Sequence, residues 1–434
     1  MAWKLKYGDT GVTFAAPEGV TVSLLAPAPI TPLLDPTQAV RDALDAPTGS
    51  PRLRDLAAGA RKVLLVVPAL SRPCGLPVVL SQVLDVLQDS GVGLRQVEIL
   101  VARGLQPRLE ADQVEAVIGS EVWNRVVVDQ HDADDAEGLD ELGDTERGTP
   151  LHLNRRTMEA GQLLVLVGTL GLDPLAGFSG GPGLMLPGLS GRATALASRR
   201  LALGDPSGSE PAPDCRPGEL EGNPLYEDSV EATEKVDPDF LVHTAVDEDG
   251  RMLKVVAGEW RKAYEAGCNW LRPRLRTPFA EPRPWAVASA GGRDRDFLLS
   301  LAPLVSASAC VRDGGSLVYL ARCGGGLGSA SLEKWLTLGS AAAISGALRG
   351  EYDADGHLAM LVRRELERIQ VHLVSSLPSD TVKKLGLIPH ATLEEAVEAA
   401  RAAAPEGSQG FVVPAPARTL LGSVSASARE AVAG

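Results

Sequence analysis

The stretch Leu175–Gly188, LAGFSGGPGLMLPG, follows the apolar run Leu163–Leu170 (LLVLVGTL), and its reading decides the fold. Glycines at 177, 180, 181, 183 and 188 permit positive φ and close backbone approach, so successive N–H groups are expected to face an anion or a flat cofactor. No lysine, histidine or cysteine lies within it, so the turn offers a cradle without a side chain for covalent or metal bonding. The tract Gly183–Ser190 comes near phosphate-loop spacing but has Leu189 where the lysine belongs, which argues against an ATPase. No GxGxxG lies in the strand–helix setting that a dinucleotide requires.

The surrounding chain alternates strand and helix. An apolar strand Lys62–Val67 leads through the loop Pro68–Gly75 into a helix Leu76–Ser90, and a strand Gln96–Val101 into a helix Ala111–Ile118. Val126–Val128, Leu151–Asn154 and Gly161–Leu170 read as further strands, followed by a helix Pro224–Lys235 and strands Phe240–Val246 and Met252–Val256. Beyond the Pro- and Arg-rich segment LRPRLRTPFAEPRP (271–284), strands at Trp285–Ala290, Gly315–Ala321 and Val371–Ser375 alternate with helices at Asp296–Ala307, Ala359–Gln370 and Thr392–Ala403. This pattern predicts an α/β fold of two lobes, each a mostly parallel sheet flanked by helices, with a cleft between them. The expected division is an N-terminal domain over 1–275, a hinge at 271–284 and a C-terminal domain over 285–410, with the tail 415–434 returning to the first.

Bulk composition agrees with two large lobes, since 434 residues exceed one ordinary core. A net charge of −14 and a pI near 5.0 argue against a nucleic-acid surface. Cys74, Cys215, Cys268, Cys310 and Cys323 are widely spaced and never form CxxC, so neither a zinc site nor a disulfide framework is expected, and a cytoplasmic location is. The N-terminal MAWKLKYGD has no signal-type apolar core, and no apolar run reaches the roughly 18 residues of a membrane span.

An ordered set of segments carries more. ALSRP (69–73), VARGLQ (101–106), QHDADD (130–135), RGTPLHLNRR (147–156), AGFSGGPGLMLPG (176–188), GNPLYED (222–228), Gly291-Gly292, CGGGLGS (323–329) and SSLPSDTVKKLGLIP (375–389) together resemble the nickel-pincer lactate racemase family, in register over roughly residues 5–425. The resemblance implies two α/β lobes and a chemistry in which hydride leaves and returns to the α-carbon of a 2-hydroxy acid. It also implies a nickel-pincer nucleotide joined to a lysine, nickel held by a histidine, and two histidines acting as the acid/base pair.

The reactive positions differ from that pattern. The lysine slot is Gly183, preceded by Pro182, and no lysine occurs between Lys62 and Lys235. The two acid/base slots hold Gln106 and Asp173, the nickel-histidine slot falls at Arg199 or Arg200, and the second-lobe tyrosine, glutamine and lysine correspond to Ser300, Leu301 and Leu304. The early aspartate is Ala69, while Ser71, Arg72 and Pro73 remain. Glutamine does not titrate near neutral pH, and a lone aspartate cannot serve as both members of a symmetric acid/base pair.

The expectation is therefore a divergent lactate-racemase-like protein that has lost pincer-dependent racemisation and binds a small acidic ligand, with no cofactor and no metal. Candidate ligand contacts are Ser71, Arg72, Gly177, Ser179, Gly180, Gly181 and Arg199, with Asp173 and Gln106 as candidate catalytic groups. Two alternatives stand beside it: an isomerase of a 2-hydroxy acid using remodelled residues, and a noncatalytic partner of an active homologue or maturation factor. Bland readings compete at each position. The glycines make a tight turn in any case, Asp173 reads equally as a loop aspartate, and His131-Asp132 reads as a structural pair. The remaining histidines are too scattered for a metal site.

Overall fold

The computed structural model of the chain describes residues 1–69, 74–204 and 211–423. It opens with the hairpin β1 (Ala2–Tyr7) and β2 (Thr10–Ala15), then β3 (Val22–Leu24). There follow α1 (Pro36–Asp45), α2 (Leu53–Ala57), β4 (Lys62–Pro68), α3 (Leu76–Asp89), β5 (Val97–Ala102), α4 (Ala111–Ile118), α5 (Ser120–Trp123) and β6 (Val127–Gln130). Next come β7 (Leu139–Asp144), β8 (Pro150–Asn154), β9 (Gln162–Asp173), β10 (Gly177–Ser179), α6 (Arg192–Arg200), α7 (Pro224–Val236), β11 (Phe240–Val246), β12 (Met252–Gly258) and α8 (Trp260–Leu275). The remainder comprises β13 (Arg276–Phe279), β14 (Arg283–Ser289), α9 (Phe297–Ser308), β15 (Val311–Leu320), α10 (Leu332–Leu336), α11 (Ala341–Gly350), α12 (Ala354–Arg368) and β16 (Gln370–Val374). It ends with α13 (Ser379–Lys384), β17 (Ile388–His390), α14 (Leu393–Ala402), β18 (Gly410–Val413) and β19 (Leu420–Ser423).

Two compact units result. One comprises Pro29–Ala202 with Pro211–Pro273, and its sheet has the order β12-β11-β9-β4-β5-β6. All neighbours in it are parallel except β11 and β12. A central parallel strand is covered on both faces, which is why β4 and β9 read as continuous apolar runs rather than alternations. Val63, Leu65 and Val67 pack with Val40 and Leu44 of α1 and Leu76, Leu80 and Leu84 of α3. Local signals start the helices: Asp35 caps α1 ahead of Pro36, and the Asn223 side chain accepts from Leu225 and Tyr226 at the head of α7.

Strand order reverses between β4 and β9, because the chain adds β5 and β6 on one side of β4 and β9 and β11 on the other. The carboxyl ends of two such strands form the crevice where open α/β sheets bind ligands. The glycine turn follows β9 at that end.

The other unit holds Met1–Ala28 and the described chain from Arg274 on, with sheet order β17-β16-β15-β14-β18-β3, parallel throughout. Trp285, Val287, Val318, Leu320 and Val412 pack with Leu393, Ala396 and Val397 of α14 and with Leu5 and Phe14 of the hairpin.

Three expectations are corrected. The first 28 residues belong with the C-terminal sheet, because β3 pairs with β18 and places Val22 in its core. The described part of the tail joins the same unit through the β13–β19 pairing, rather than returning to the N-terminal lobe. The segment 271–284 is the last turn of α8 followed by β13. Pro273 lies so near the end of α8 that it costs little of the backbone ladder. The expected strand at Leu151–Asn154 is β8, which pairs antiparallel with β7 in a separate two-stranded hairpin.

That hairpin is fastened by one buried carboxylate. Asp228 of α7 accepts from Thr145 Oγ1 at 2.7 Å and from Thr149 Oγ1 at 2.9 Å, and it is 1% exposed. Asp228→Ala leaves both buried hydroxyl protons without this acceptor and is expected to cost about 2–4 kcal/mol in urea denaturation. A change below about 1 kcal/mol would show that the clamp does not hold the hairpin.

Candidate ligand site at the glycine turn

The turn begins with Asp173, the last residue of β9. Its Oδ1 accepts from the N–H groups of Leu175 at 2.9 Å and Ala176 at 2.8 Å, so the carboxylate closes the reversal that lays β10 antiparallel on β9. Asn223 Nδ2 fastens the outside of the reversal by donating to Leu175 O at 2.8 Å.

Gly180 and Gly181 then take φ values of 86° and 52°. Gly181 N–H donates to His243 Nε2 at 2.8 Å, while His243 Nδ1 lies 2.9 Å from the Val242 carbonyl oxygen. This pair of partners assigns the tautomer, because Nε2 must be the bare acceptor and Nδ1 the donor. His243 is fully buried in β11, and burial pushes its pKa down to about 4. Beneath the turn Tyr264 of α8 donates its hydroxyl to Phe178 O at 3.1 Å.

Packing dictates four of the five glycines. A methyl on Gly181 would overlap the Tyr264 ring, and one on Gly180 would lie 2.7 Å from Thr169 O and 2.8 Å from His243. Gly177 and Gly188 abut the carbonyls of Glu219 and Leu184. Gly183 differs: its φ lies outside the left-handed region, and an added Cβ meets nothing within 4 Å.

The expected inward-facing amides are largely committed within the turn. Besides Gly181, the Gly183 N–H donates to Gly180 O at 3.1 Å, Met185 to Pro182 O at 3.0 Å and Gly188 to Gly183 O at 3.0 Å. Ser179 pairs with Gly171 at the end of β9.

The second loop reaches the turn through its backbone. Gly104 N–H donates to Gly188 O at 2.9 Å, which brings the Ala102–Gln106 loop beside the glycine turn. Gln106 itself is exposed, with its carbonyl held by the Arg103 guanidinium, which also lies 3.2 Å from Asp132. His131 locks the next strand end, its Nε2 2.9 Å from Ser190 O and its Nδ1 3.1 Å from Asn154 Nδ2. Its pKa is lowered, chiefly by burial, and both nitrogens are satisfied.

Arg199 stands apart from its neighbours. It lies in the last turn of α6, half-buried, with Nε shielded from solvent and lacking an acceptor, and no carboxylate among the described residues pairs with it. Arg192, by contrast, is held by Asp134 at 2.6 and 2.7 Å, and Arg200 is exposed. Ser71 and Arg72 lie outside the described residues. Among the described residues, no group of three or more His, Cys, Asp or Glu side chains has the geometry to hold a metal.

Sequence reasoning passed over Tyr264, which sits on a helix it had not found, and took His243 for one more satisfied histidine. A period-2 reading of FLVHTAV carries a signal in hindsight: the only polar ring in a strand buried at every position demands a partner.

Comparison with known proteins agrees with this arrangement. The lactate racemase N-terminal domain profile matches residues 7–209. The lactate racemase of Thermoanaerobacterium thermosaccharolyticum is 28% identical over 68% of this chain and 68% of its own, and that of Lactiplantibacillus plantarum is 25% identical over 66% of each. The chain is thus similar to lactate racemases, and its N-terminal part to their N-terminal domain. The solved apoprotein structure of the Thermoanaerobacterium enzyme superposes with a TM-score of 0.89 at 24% identity, covering 97% of this chain and all of that one. A Thermotoga maritima protein of known structure matches at 0.66 and 16% identity over 92% of this chain and all of its own.

This similarity corrects the expectation that no cofactor goes with the chain, because the lactate racemases it resembles use a nickel-pincer cofactor. The residues at two slots do not fit its lysine-attached, histidine-ligated form. Position 183 offers no amine, and position 199 offers a guanidinium, which cannot ligate nickel at ordinary pH.

Two outcomes are expected. Gly183→Ala leaves the melting temperature within about 2 °C of the parent, whereas Gly181→Ala, strained at positive φ and driven into Tyr264, costs at least about 2 kcal/mol; equal effects would show that the turn does not discriminate between them. The neutral His243 ring stabilises the fold fully above about pH 6.5, and this contribution is lost as pH falls toward 4, because the unfolded chain takes up the proton first. At pH 5 the loss is about 2 kcal/mol. It is read as a lower urea midpoint, while the His243 ring resonances stay in the neutral form; a ring already titrating near pH 6.5 contradicts the buried acceptor.

Proposed function

We propose that this lactate-racemase-like protein no longer racemises by the pincer route and instead binds a small acidic molecule of the 2-hydroxy-acid class at the end of the sheet that bears the glycine turn. The observation that carries the reading is Arg199. The resemblance places the nickel-binding histidine at Arg199 or Arg200, and the Arg199 guanidinium has no carboxylate partner among the described residues. A half-buried guanidinium without a counter-charge gains most by taking one from a ligand, and its planar fork matches a carboxylate bidentately.

Two further points support loss of the reaction. Gln106 cannot exchange a proton near neutral pH, and Asp173 spends Oδ1 on closing its own turn. Without two matched acid/base groups, the hydroxyl proton has no path off one face of the substrate and back to the other. The glycines at 177, 180 and 181 and Ser179 then shape the wall of the site, and Ser71 and Arg72 stand as further candidate contacts. All five cysteines are free and buried, in keeping with a reducing, cytoplasmic setting.

The test is thermal denaturation with D-lactate, L-lactate and malate, together with polarimetry on lactate after coexpression with pincer-building enzymes. A ligand held by the native state raises the melting temperature, by the equivalent of about 2.7 kcal/mol at a hundredfold excess over Kd. The expected result is a shift with at least one acid that disappears in Arg199→Gln, and no inversion of either lactate enantiomer. Inversion overturns the loss of activity. Absence of any shift, or one indifferent to Arg199→Gln, overturns the binding site.

A further inference from the structure

In the other unit, two histidines meet across the edge of the sheet. His372 of β16 and His390 of β17 have Nδ1 and Nε2 2.9 Å apart, with ring centroids 5.1 Å apart and planes at 34°. His372 is 3% exposed and His390 half-buried. The Nε2 of His372 is buried with no hydrogen-bond partner.

That orphan nitrogen decides how the pair handles protons. With both rings neutral, the less costly arrangement leaves His372 Nε2 a bare lone pair and lets Nδ1–H donate to His390 Nε2. An added proton has two ways in while the shared bond survives. It joins His372 at Nε2, or it joins His390 at Nε2, in which case His372 must accept at Nδ1 and carry its own hydrogen at Nε2. Either way an N–H appears on His372 Nε2, where no acceptor exists. The pair therefore tolerates protonation only by coming apart.

The strand that this bond holds is weakly held otherwise. β17 is three residues long, forms one edge of the sheet, and pairs only as His372↔Ile388, Leu373↔Pro389 and Val374↔His390. Pro389 has no N–H to give to the ladder. The side-chain bond thus adds to a short ladder, beside the buried Leu387 and Leu393 that flank the strand.

We propose that the His372–His390 pair is an acid-released latch, which holds the edge strand β17 on β16 at neutral pH and lets it go on mild acidification. The groups facing the pair set the pH at which it opens. From α14, the exposed Glu395 carboxylate, which accepts from Ala391 N–H at 3.2 Å, draws the pKa of His390 upward against the larger downward effect of burial. From α13, Asp380, Lys383 and Lys384 are exposed, and β15 sets the uncharged Val318 opposite His372. Burial and the neighbouring imidazole together bring His372 down to about 4 in the closed state. Opening is consequently linked to proton uptake below about pH 6, where the freed rings regain ordinary basicity. Release uncovers the outer edge of β16, a pairing edge that the closed strand covers.

Hydrogen exchange on the full-length protein at pH 7.0 and 5.0, corrected for intrinsic rates, tests the latch. Peptides spanning 386–391 are expected to lose at least tenfold in protection relative to peptides from β14 and β15. His390→Phe keeps the bulk and removes the bond and the proton site, and is expected to show low protection at 386–391 at both pH values. If that variant fails to fold, nitrogen-detected NMR of the wild-type histidines decides: the latch requires His372 to be protonated at Nδ1 alone at pH 7 and both rings to titrate together below pH 6. Unchanged protection at 386–391, loss shared equally by β14 and β15, or a His372 ring titrating independently near 6.5 overturns it.

Discussion

One hydrogen bond inside the parallel sheet sets the geometry of everything around the glycine turn. His243 is the single ionisable ring in β11, it is fully buried, and its neutral Nε2 is the acceptor for the Gly181 amide. Because the ring must sit directly beneath the backbone, residues 180 and 181 cannot carry side chains, and Tyr264 closes the remaining side. The turn is thereby a solid part of the core rather than a loop draped over it. Its position then fixes the neighbouring loop through Gly104 and Gly188, and His131 continues the chain of contacts through Ser190.

This constraint separates what the fold asks of the turn from what the family's chemistry asks of it. The fold requires glycine at 177, 180, 181 and 188, where any side chain collides with backbone or ring, and this chain has kept each of them. The resemblance sets its reactive slots at 106, 173, 183 and 199 or 200, of which Gly183 stands in open space while Asp173 is bound into its own turn. Groups of that kind can change without loss of the fold, so structural likeness to a lactate racemase apoprotein speaks to the fold alone.

Much of the architecture was legible because it rests on local patterns. The buried apolar runs of β4 and β9, the Asp35–Pro36 and Asn223–Pro224 helix starts and the α4 span Ala111–Ile118 follow directly from periodicity and capping. Misreadings occurred where distant residues decide. Pro273 suggested a hinge, but it falls in the last turn of α8, where a proline is cheap. The first 28 residues carry no mark of the sheet they join, because β3 is placed by β18, nearly 390 residues away in sequence. At the site, the slots rest on the order of segments along the chain, whereas the His243 acceptor and the Arg199 guanidinium, which no carboxylate among the described residues pairs, were not legible. Both depend on what surrounds a side chain in space.

The open space above Gly183 also gives the turn a practical property. The five native thiols are all buried, and burial raises Cys215, Cys268, Cys310 and Cys323 to about 12, so they are poor nucleophiles at neutral pH. A cysteine introduced at 183 would meet no neighbour and would stand as the one readily alkylated sulfur in the chain. Position 183 is therefore a selective handle, through which a spin label, a fluorophore or a synthetic metal chelate can be installed at the mouth of the turn without disturbing the glycines that hold it in shape.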